Sequence, residues 1–231
     1  MKAEYLFNLK IMKIMAKKTV AILFYLLIFF SSNAQPFLNE INAFKKADSS
    51  QIIPNRPILF IGSSSFTNWK DIKNYFPDFQ IVNRGFGGSS LPHLIMYAED
   101  IIFKYNPKQI MIYCGENDLS GGPQITSDII LNRFTELFTL IRNKLPKVPI
   151  AYISMKPSPS REKLLTTMQE GNEKIKAFIA KQKKAVFIDV YHAMLNEDGT
   201  IMSDIFLSDK LHMNKKGYEI WQKIIAPYLK K

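Results

Sequence analysis

The stretch PILFIGSSS, residues 57–65, is an unbroken apolar run that ends in a glycine and three serines. Runs of this length, rich in β-branched and aromatic residues, are typical of strands buried on both faces of a parallel sheet. Similar runs follow at residues 80–82, 109–113, 149–153 and 185–190. The sequence therefore predicts a five-stranded parallel sheet whose first strand begins near residue 57.

Segments with helical periodicity separate these runs. Apolar residues recur at three- and four-residue intervals at positions 134, 137, 138 and 141, and a further apolar residue precedes them at position 129. Ser127 or Asp128 is the expected cap of that helix, and Pro146 ends it. The last segment, residues 214–229, begins with Asn214 as its expected N-cap. Strands that alternate with helices predict an α/β fold, a three-layer α/β/α sandwich with right-handed crossovers.

Residues 1–34 have the pattern of a secretory signal peptide. Lys17 and Lys18 precede an apolar run at residues 19–30, and small residues up to Ala34 follow it. The alternative is an uncleaved anchor, but this run is shorter than the ~20 residues that span a bilayer. We therefore expect cleavage after Ala34, one folded domain at residues 35–231, export to the periplasm or beyond, and no stable membrane span after cleavage.

Composition is that of one globular domain, with 47% apolar and 22% charged residues. Without the five Lys and one Glu of residues 1–34, 26 basic and 19 acidic residues remain, a net charge of about +7 against +11 for the whole chain. No nucleic-acid-binding motif accompanies this charge, so we interpret the lysines as solvated helix faces. Cys114 is the single cysteine, which excludes an internal disulfide and predicts a buried thiol.

Candidate catalytic residues follow the first three strands and precede the last helix. In a parallel sheet, ligand sites lie beyond the carboxyl ends of the strands, where Ser64, Gly88 and Asn117 are expected. A serine hydroxyl needs a base and an oriented partner for that base, and the oxyanion needs donors already in place. Asp209 and His212 have the spacing that returns a carboxylate to its own imidazole through one tight turn.

Four blocks in this order resemble those of the SGNH, or GDSL-like, hydrolase family. They are Gly62-Ser63-Ser64, Gly88, Gly115-Glu116-Asn117-Asp118 and Asp209-Lys210-Leu211-His212, and together they span nearly all of residues 35–231. The resemblance implies the flavodoxin-like SGNH hydrolase fold, with Ser64 as nucleophile, His212 as its general base and Asp209 holding the imidazole. It also implies that the Ser64 N–H, the Gly88 N–H and the Asn117 side chain form the oxyanion hole.

The chain departs from the family at Ser63, where Asp is usual. Because that Asp is not the triad acid, the change removes no catalytic role, but it leaves Ser63 and Ser65 as alternative nucleophiles. Phe66 stands where a Gly-x-Ser-x-Gly elbow would have its second glycine, which argues against an ordinary α/β-hydrolase. Asn117 has the alternative of a plain turn residue.

The other polar residues near these blocks are interpreted as structural. Asn83 and Arg84 are expected to support the glycine loop, with substrate contact as the alternative for Arg84. Asp189 is expected to anchor a loop, and His93 and His192 to be structural or surface residues. No metal-ligand spacing and no cofactor motif is present.

The sequence thus predicts a metal-independent serine ester hydrolase that forms an acyl-enzyme and needs no cofactor. Short acyl groups, such as acetyl esters of carbohydrate or lipid, are the expected substrates. The alternative is a non-catalytic ligand-binding module on the same fold, but such a module would be expected to lack one of the site residues, and none is missing.

Overall fold

The structure is a computed structural model that describes residues 35–231, so the expected signal peptide lies outside the described residues. Residues 39–231 form one compact unit, and residues 35–38 belong to a separate N-terminal unit. In chain order the elements are α1 Leu38–Ser50, β1 Ile58–Gly62, α2 Ser64–Thr67, α3 Ile72–Tyr75, β2 Ile81–Gly85, α4 Leu91–Met96, α5 Ala98–Ile101, β3 Gln109–Tyr113, α6 Glu116–Leu119, α7 Ser127–Lys144, β4 Ile150–Ile153, α8 Leu165–Ile179, β5 Ala185–Ile188 and α9 Lys215–Ile225. Short 3-10 turns lie at Phe103–Tyr105, Pro159–Leu164, His192–Met194, Ser203–Ile205 and Ala226–Tyr228.

The five strands form one parallel sheet in the order β2-β1-β3-β4-β5. This confirms the predicted α/β sandwich. Every residue of β1, β3 and β4 is buried, as the apolar runs predict. The prediction was wrong for β5, whose first three residues are only partly buried, because β5 is an edge strand with a neighbour on one side.

Helices cover both faces of the sheet and make it a three-layer structure. On one face, Trp221 of α9 packs against Tyr113 of β3 with 4.7 Å between ring centroids, and against Phe66 of α2 at 6.3 Å. On the other face, Phe134 of α7 packs against Tyr152 of β4 at 4.7 Å. The aromatic contacts on the first face fix α9 beside α2, the short helix that begins at Ser64.

Strand β2 is longer than its apolar run predicts, because tertiary contacts satisfy two polar side chains within it. Asn83 donates from Nδ2 to Phe66 O at 2.7 Å and accepts at Oδ1 from the Gly85 N–H at 2.9 Å. Arg84, on the opposite face, pairs with Asp48 of α1 and donates to the Tyr105 hydroxyl at 2.6 Å. The sequence placed these two residues after the strand, whereas they lie inside it and support the fold.

The N-cap of helix α7, residues 127–144, lies one residue before the first of the two expected caps. Its N-cap is Thr126, whose Oγ1 accepts from the Ile129 N–H at 3.4 Å. Ser127 and Asp128, the expected caps, instead contact Lys174 of α8. Asn214 is the N-cap of α9 as expected, since its Oδ1 accepts from two backbone N–H groups at the start of the helix.

Candidate active site

The turn between β1 and α2 places Ser64 at the carboxyl end of the sheet. Gly62 has φ +148°, and a Cβ built on it would lie 1.9 Å from Tyr113 O, so no other residue fits here. The Ser63 N–H then donates to Tyr113 O at 3.1 Å, and α2 starts at Ser64. Ser63 and Ser65 are 5% and 4% exposed, whereas Ser64 is partly exposed. Of the three serines, only Ser64 therefore presents itself to a substrate.

The glycine loop after β2 lies directly against this turn. A Cβ built on Gly87 would be 3.9 Å from the Ser64 Cβ. Ser89 donates from its hydroxyl to Gly62 O at 3.0 Å, which joins the two loops. Gly88, which stands between Gly87 and Ser89 in the chain, is exposed. Its φ is +81°, a left-handed conformation that glycine adopts without steric cost.

The short helix α6, which follows β3, carries Asn117 to the same edge. Its Nδ2 donates to Ser89 O at 2.9 Å, and its Oδ1 accepts from Arg161 Nη2 at 2.7 Å. A side-chain amide nitrogen carries two protons, so one remains after the bond to Ser89. Asn117 is thus more than a turn residue, because both ends of its amide are engaged by other loops.

The turn before α9 pairs His212 with Asp209. His212 Nδ1 lies 2.6 Å from Asp209 Oδ2, while Asp209 Oδ1 accepts from the Leu211 and His212 N–H groups at 2.9 Å each. Lys210 adopts a left-handed φ of +54° and closes the turn. The hydrogen bond from His212, with the two backbone bonds, lowers the pKa of Asp209 from 3.8 to about 2. The carboxylate is therefore ionised and oriented toward the ring.

Two contacts tie this turn to the loops that carry Ser64 and Asn117. The Tyr218 hydroxyl of α9 donates to Ser65 O at 2.9 Å. The Ser160 N–H donates to Lys210 O at 3.1 Å, next to the arginine that contacts Asn117. The loops of Ser64, Gly88 and Asn117 contact one another through Ser89, and the His212 turn is connected to them through α9 and through the segment Pro159–Leu164.

Sequence reasoning missed a buried charge cluster at this edge, formed by Glu116, Lys156 and Arg161. Glu116 Oε2 lies 3.3 Å from both Lys156 Nζ and Arg161 Nη1. The cationic members of the cluster lie in the segment after β4, whose carboxyl end meets the same edge of the sheet as the ends of β1, β2 and β3. Lys156 and Arg161 stand at the two ends of Lys-Pro-Ser-Pro-Ser-Arg in that segment, which matches no familiar motif.

A second Asp-x-x-His turn follows β5. His192 Nδ1 lies 2.7 Å from Asp189 Oδ2, and Asp189 Oδ1 accepts from the His192 N–H at 3.2 Å. The His192 side chain is 66% exposed. This agrees with the expected roles of Asp189 as a loop anchor and His192 as a surface residue. His93 is structural as expected, since its Nδ1 accepts from the Ser90 N–H at 3.0 Å at the start of α4.

Cys114 is buried, as predicted, and burial raises the pKa of its thiol. Within residues 35–231, no three or more His, Cys, Asp or Glu side chains are grouped in a way that could hold a metal ion. Of the helices formed by those same residues, none has the length and apolar character needed to cross a membrane.

An open groove of about 760 Å³ lies beside these loops. It is bounded by the loop after α6, by the 3-10 turn Pro159–Leu164 and by Leu211, the neighbour of His212. Its lining mixes apolar and charged side chains: Leu119, Ser120, Gly122, Pro123, Pro159, Ser160, Arg161, Glu162, Lys163, Leu164 and Leu211. Since Arg161 contacts Asn117, the groove opens next to the candidate oxyanion donor.

Comparison with known proteins identifies relatives over most of the chain. The model of the GDSL-like Lipase/Acylhydrolase family matches residues 61–220. The platelet-activating factor acetylhydrolase IB subunit alpha1 of Pongo abelii is 26% identical over 186 residues, which cover 74% of each chain.

Solved structures share the fold at lower identity. A GDSL-like lipase from Bacteroides thetaiotaomicron superposes with a TM-score of 0.69 at 18% identity, over 81% of this chain and 96% of that one. An acetyl xylan esterase from Geobacillus stearothermophilus superposes with a TM-score of 0.59 at 16% identity, over 76% of this chain and 95% of that one.

Proposed function

Because the chain belongs to the GDSL-like lipase/acylhydrolase family and is therefore an ester hydrolase, we propose that it cleaves carboxylic esters through an acyl-enzyme on Ser64. In this proposal His212 removes the Ser64 proton, and Asp209 orients the imidazole. The Ser64 N–H, the Gly88 N–H and the Asn117 Nδ2 group bind the oxyanion.

The observation that carries this proposal is the contact between His212 Nδ1 and Asp209 Oδ2 at 2.6 Å. An ionised carboxylate at this distance holds the proton on Nδ1, so Nε2 carries the lone pair that a general base requires. The exposure of Ser64 between two buried serines supports its choice as nucleophile.

The chemistry proceeds in two steps. Ser64 Oγ attacks the ester carbonyl while its proton passes to His212 Nε2, and the tetrahedral oxyanion accepts hydrogen bonds from the three donors. His212 then gives this proton to the leaving alcohol, which departs and leaves an acyl-enzyme. A water then attacks the acyl carbonyl while it gives a proton to the same imidazole, and this proton passes to Ser64 Oγ as the ester bond to Ser64 breaks and the acid leaves.

For the substrate we propose acetyl or other short acyl esters of a carbohydrate or lipid alcohol. One relative is named as an acetylhydrolase subunit, and one structural neighbour is named as an acetyl xylan esterase. The open groove beside Asn117 has Leu211, Arg161, Glu162 and Lys163 in its lining and is the proposed place for the alcohol half of the ester.

The test is hydrolysis of p-nitrophenyl acetate by the purified chain and its variants. Ser64→Ala and His212→Ala are each expected to lower kcat by at least ~10³ without unfolding the domain. Ser65→Ala is the matched control, since it removes a neighbouring hydroxyl that the proposal leaves unused, and it should stay within about tenfold of wild type.

Two results would contradict the proposal. A wild-type chain that shows neither a burst nor turnover on any ester would favour the binding module. Activity of Ser64→Ala near that of wild type, with loss in Ser65→Ala, would move the nucleophile. A screen of acyl-chain length and of acetylated sugars then tests the proposed substrate class.

A further inference from the structure

The buried cluster beside Asn117 contains two cations and one carboxylate. The side chains of Lys156 and Glu116 are 2% and 6% exposed, and that of Arg161 is 15% exposed. Glu116 Oε1 also accepts from the Lys156 N–H at 3.3 Å. Glu116 therefore holds both cations at the edge of the candidate site, and burial lowers the pKa of Lys156.

Arg161 uses its two terminal nitrogens on different partners. Nη1 donates to Glu116 Oε2 at 3.3 Å, and Nη2 donates to Asn117 Oδ1 at 2.7 Å. The planar guanidinium fixes the angle between these bonds, so the salt bridge to Glu116 determines where the second donor points. The anchor on Glu116 thereby sets the position of the Asn117 amide.

The partners of the Asn117 amide also determine which way it faces. Arginine only donates, so the atom toward Arg161 must be the amide oxygen. Ser89 O only accepts, so the atom 2.9 Å from it must be the nitrogen. Because one amide proton of Asn117 is hydrogen-bonded to Ser89 O, the other amide proton is left for an oxyanion. A flipped amide would lose both bonds and would present an acceptor to a negative charge.

The charge of Arg161 acts on the same amide. A cation that binds the carbonyl oxygen withdraws electron density from the nitrogen and makes its protons stronger donors, since bonded groups polarise one another. Such donors matter most where charge develops in a site that excludes water.

We propose that Arg161, anchored by Glu116, is a positioning residue that orients and polarises the Asn117 side chain as an oxyanion donor. This inference rests on the proposed ester hydrolysis. In this inference Arg161 contacts Asn117 and not the reacting atoms, so its effect on kcat passes through Asn117, whereas its place in the groove lining would act on KM.

The test is a double-mutant cycle with Arg161→Met and Asn117→Ala on the full chain, measured with p-nitrophenyl acetate. Removing one oxyanion donor costs ~10²–10³ in kcat, so Asn117→Ala should lose this amount and Arg161→Met a part of it, ~10–100-fold, with KM changed by less than about threefold. In the Asn117→Ala background, Arg161→Met should cost less than about threefold more.

Arg161→Lys gives an intermediate result if the fork geometry matters, because lysine keeps the charge but has no second fixed donor. The inference would be overturned if the kcat losses of the two single variants multiplied in the double variant. It would also be overturned if Arg161→Met changed only KM. Full activity of Arg161→Met would overturn it as well.

If Arg161→Met does not fold, Arg161→Ala with added guanidinium replaces it. Millimolar guanidinium should restore part of the kcat of Arg161→Ala, since the side chain borders an open groove, and should not restore Asn117→Ala. Absence of rescue in a folded Arg161→Ala would count against the inference.

A measurement that does not depend on catalysis can test the positioning of Asn117 separately from the proposed esterase activity. The side-chain amide signals of Asn117 in an NMR spectrum, assigned by their absence in Asn117→Ala, should shift or broaden in Arg161→Met. Unchanged signals would refute the positioning role even in an active enzyme. Changed signals in a chain that hydrolyses no ester would leave the positioning intact and reject the esterase proposal instead.

Discussion

The two carboxylate oxygens of the single residue Asp209 have different partners. Oδ1 accepts from two backbone N–H groups and shapes the turn, while Oδ2 contacts the ring of His212. The pKa of Asp209 lies at about 2, below its ordinary value of 3.8, because these donors stabilise the carboxylate. A depressed pKa means stabilisation that is complete above pH 3.8 and is lost as the pH falls toward 2. The carboxylate is thus ionised at every pH at which an esterase is assayed.

Asp209→Asn separates the two functions of this side chain. The amide oxygen can keep the backbone bonds, but the amide nitrogen then donates to Nδ1 and forces the ring proton onto Nε2. We expect kcat to fall by ~10³–10⁴ at every pH above about 4, with little change in Tm. Asp189→Asn is the matched control, because Asp189 makes the same carboxylate-to-imidazole contact, with His192, and is not among the proposed catalytic residues. Equal losses in both variants, or none in Asp209→Asn, would contradict the assigned tautomer.

For whole elements, the contact between α9 and α2 connects the helix that follows the His212 turn to the helix that begins at Ser64. The buried Tyr218 hydroxyl donates to Ser65 O, and burial raises the pKa of this tyrosine, so the donor keeps its proton at assay pH. The sequence predicted α9 and its Asn214 cap, because capping depends on neighbouring residues. It missed the true length of β2, because Asn83 and Arg84 find partners 17 and 36 residues away.

Tyr218→Phe tests this contact. The variant leaves the Ser65 carbonyl without its donor in a buried site, and we expect the free energy of unfolding to fall by ~1–3 kcal/mol in urea titrations. The kcat should fall only a few-fold, since α9 keeps its aromatic packing. Tyr228→Phe is the control, because Tyr228 is 36% exposed. Loss of its hydroxyl should leave the free energy of unfolding within about 0.5 kcal/mol of wild type. An unchanged urea midpoint for Tyr218→Phe would show that the contact does not hold α9 in place.

At the scale of the molecule, the alternation of apolar runs and helical periodicity was enough to predict the sheet, because both patterns are local and repeat five times. The candidate site was predictable where short blocks carry it, as with Asp209 and His212. The Glu116–Lys156–Arg161 cluster was not, because its members come from loops about 40 residues apart and pair only after β3 and β4 are adjacent. A charged residue before a turn has no local signature of burial.

The last expectation concerns residues 1–34, which we propose are removed on export. Expressed at full length in a Gram-negative host, the chain should be recovered from the periplasm with Gln35 as its first residue, as read by N-terminal sequencing. Leu26→Arg places a charge within the apolar run, which costs ~2.5–3.5 kcal/mol in a membrane-inserted segment, and should leave an unprocessed chain in the cytoplasm. Since Cys114 is the only cysteine, the exported domain can fold without an internal disulfide. Recovery of wild type in the membrane pellet with residues 1–34 attached would instead establish an anchored enzyme.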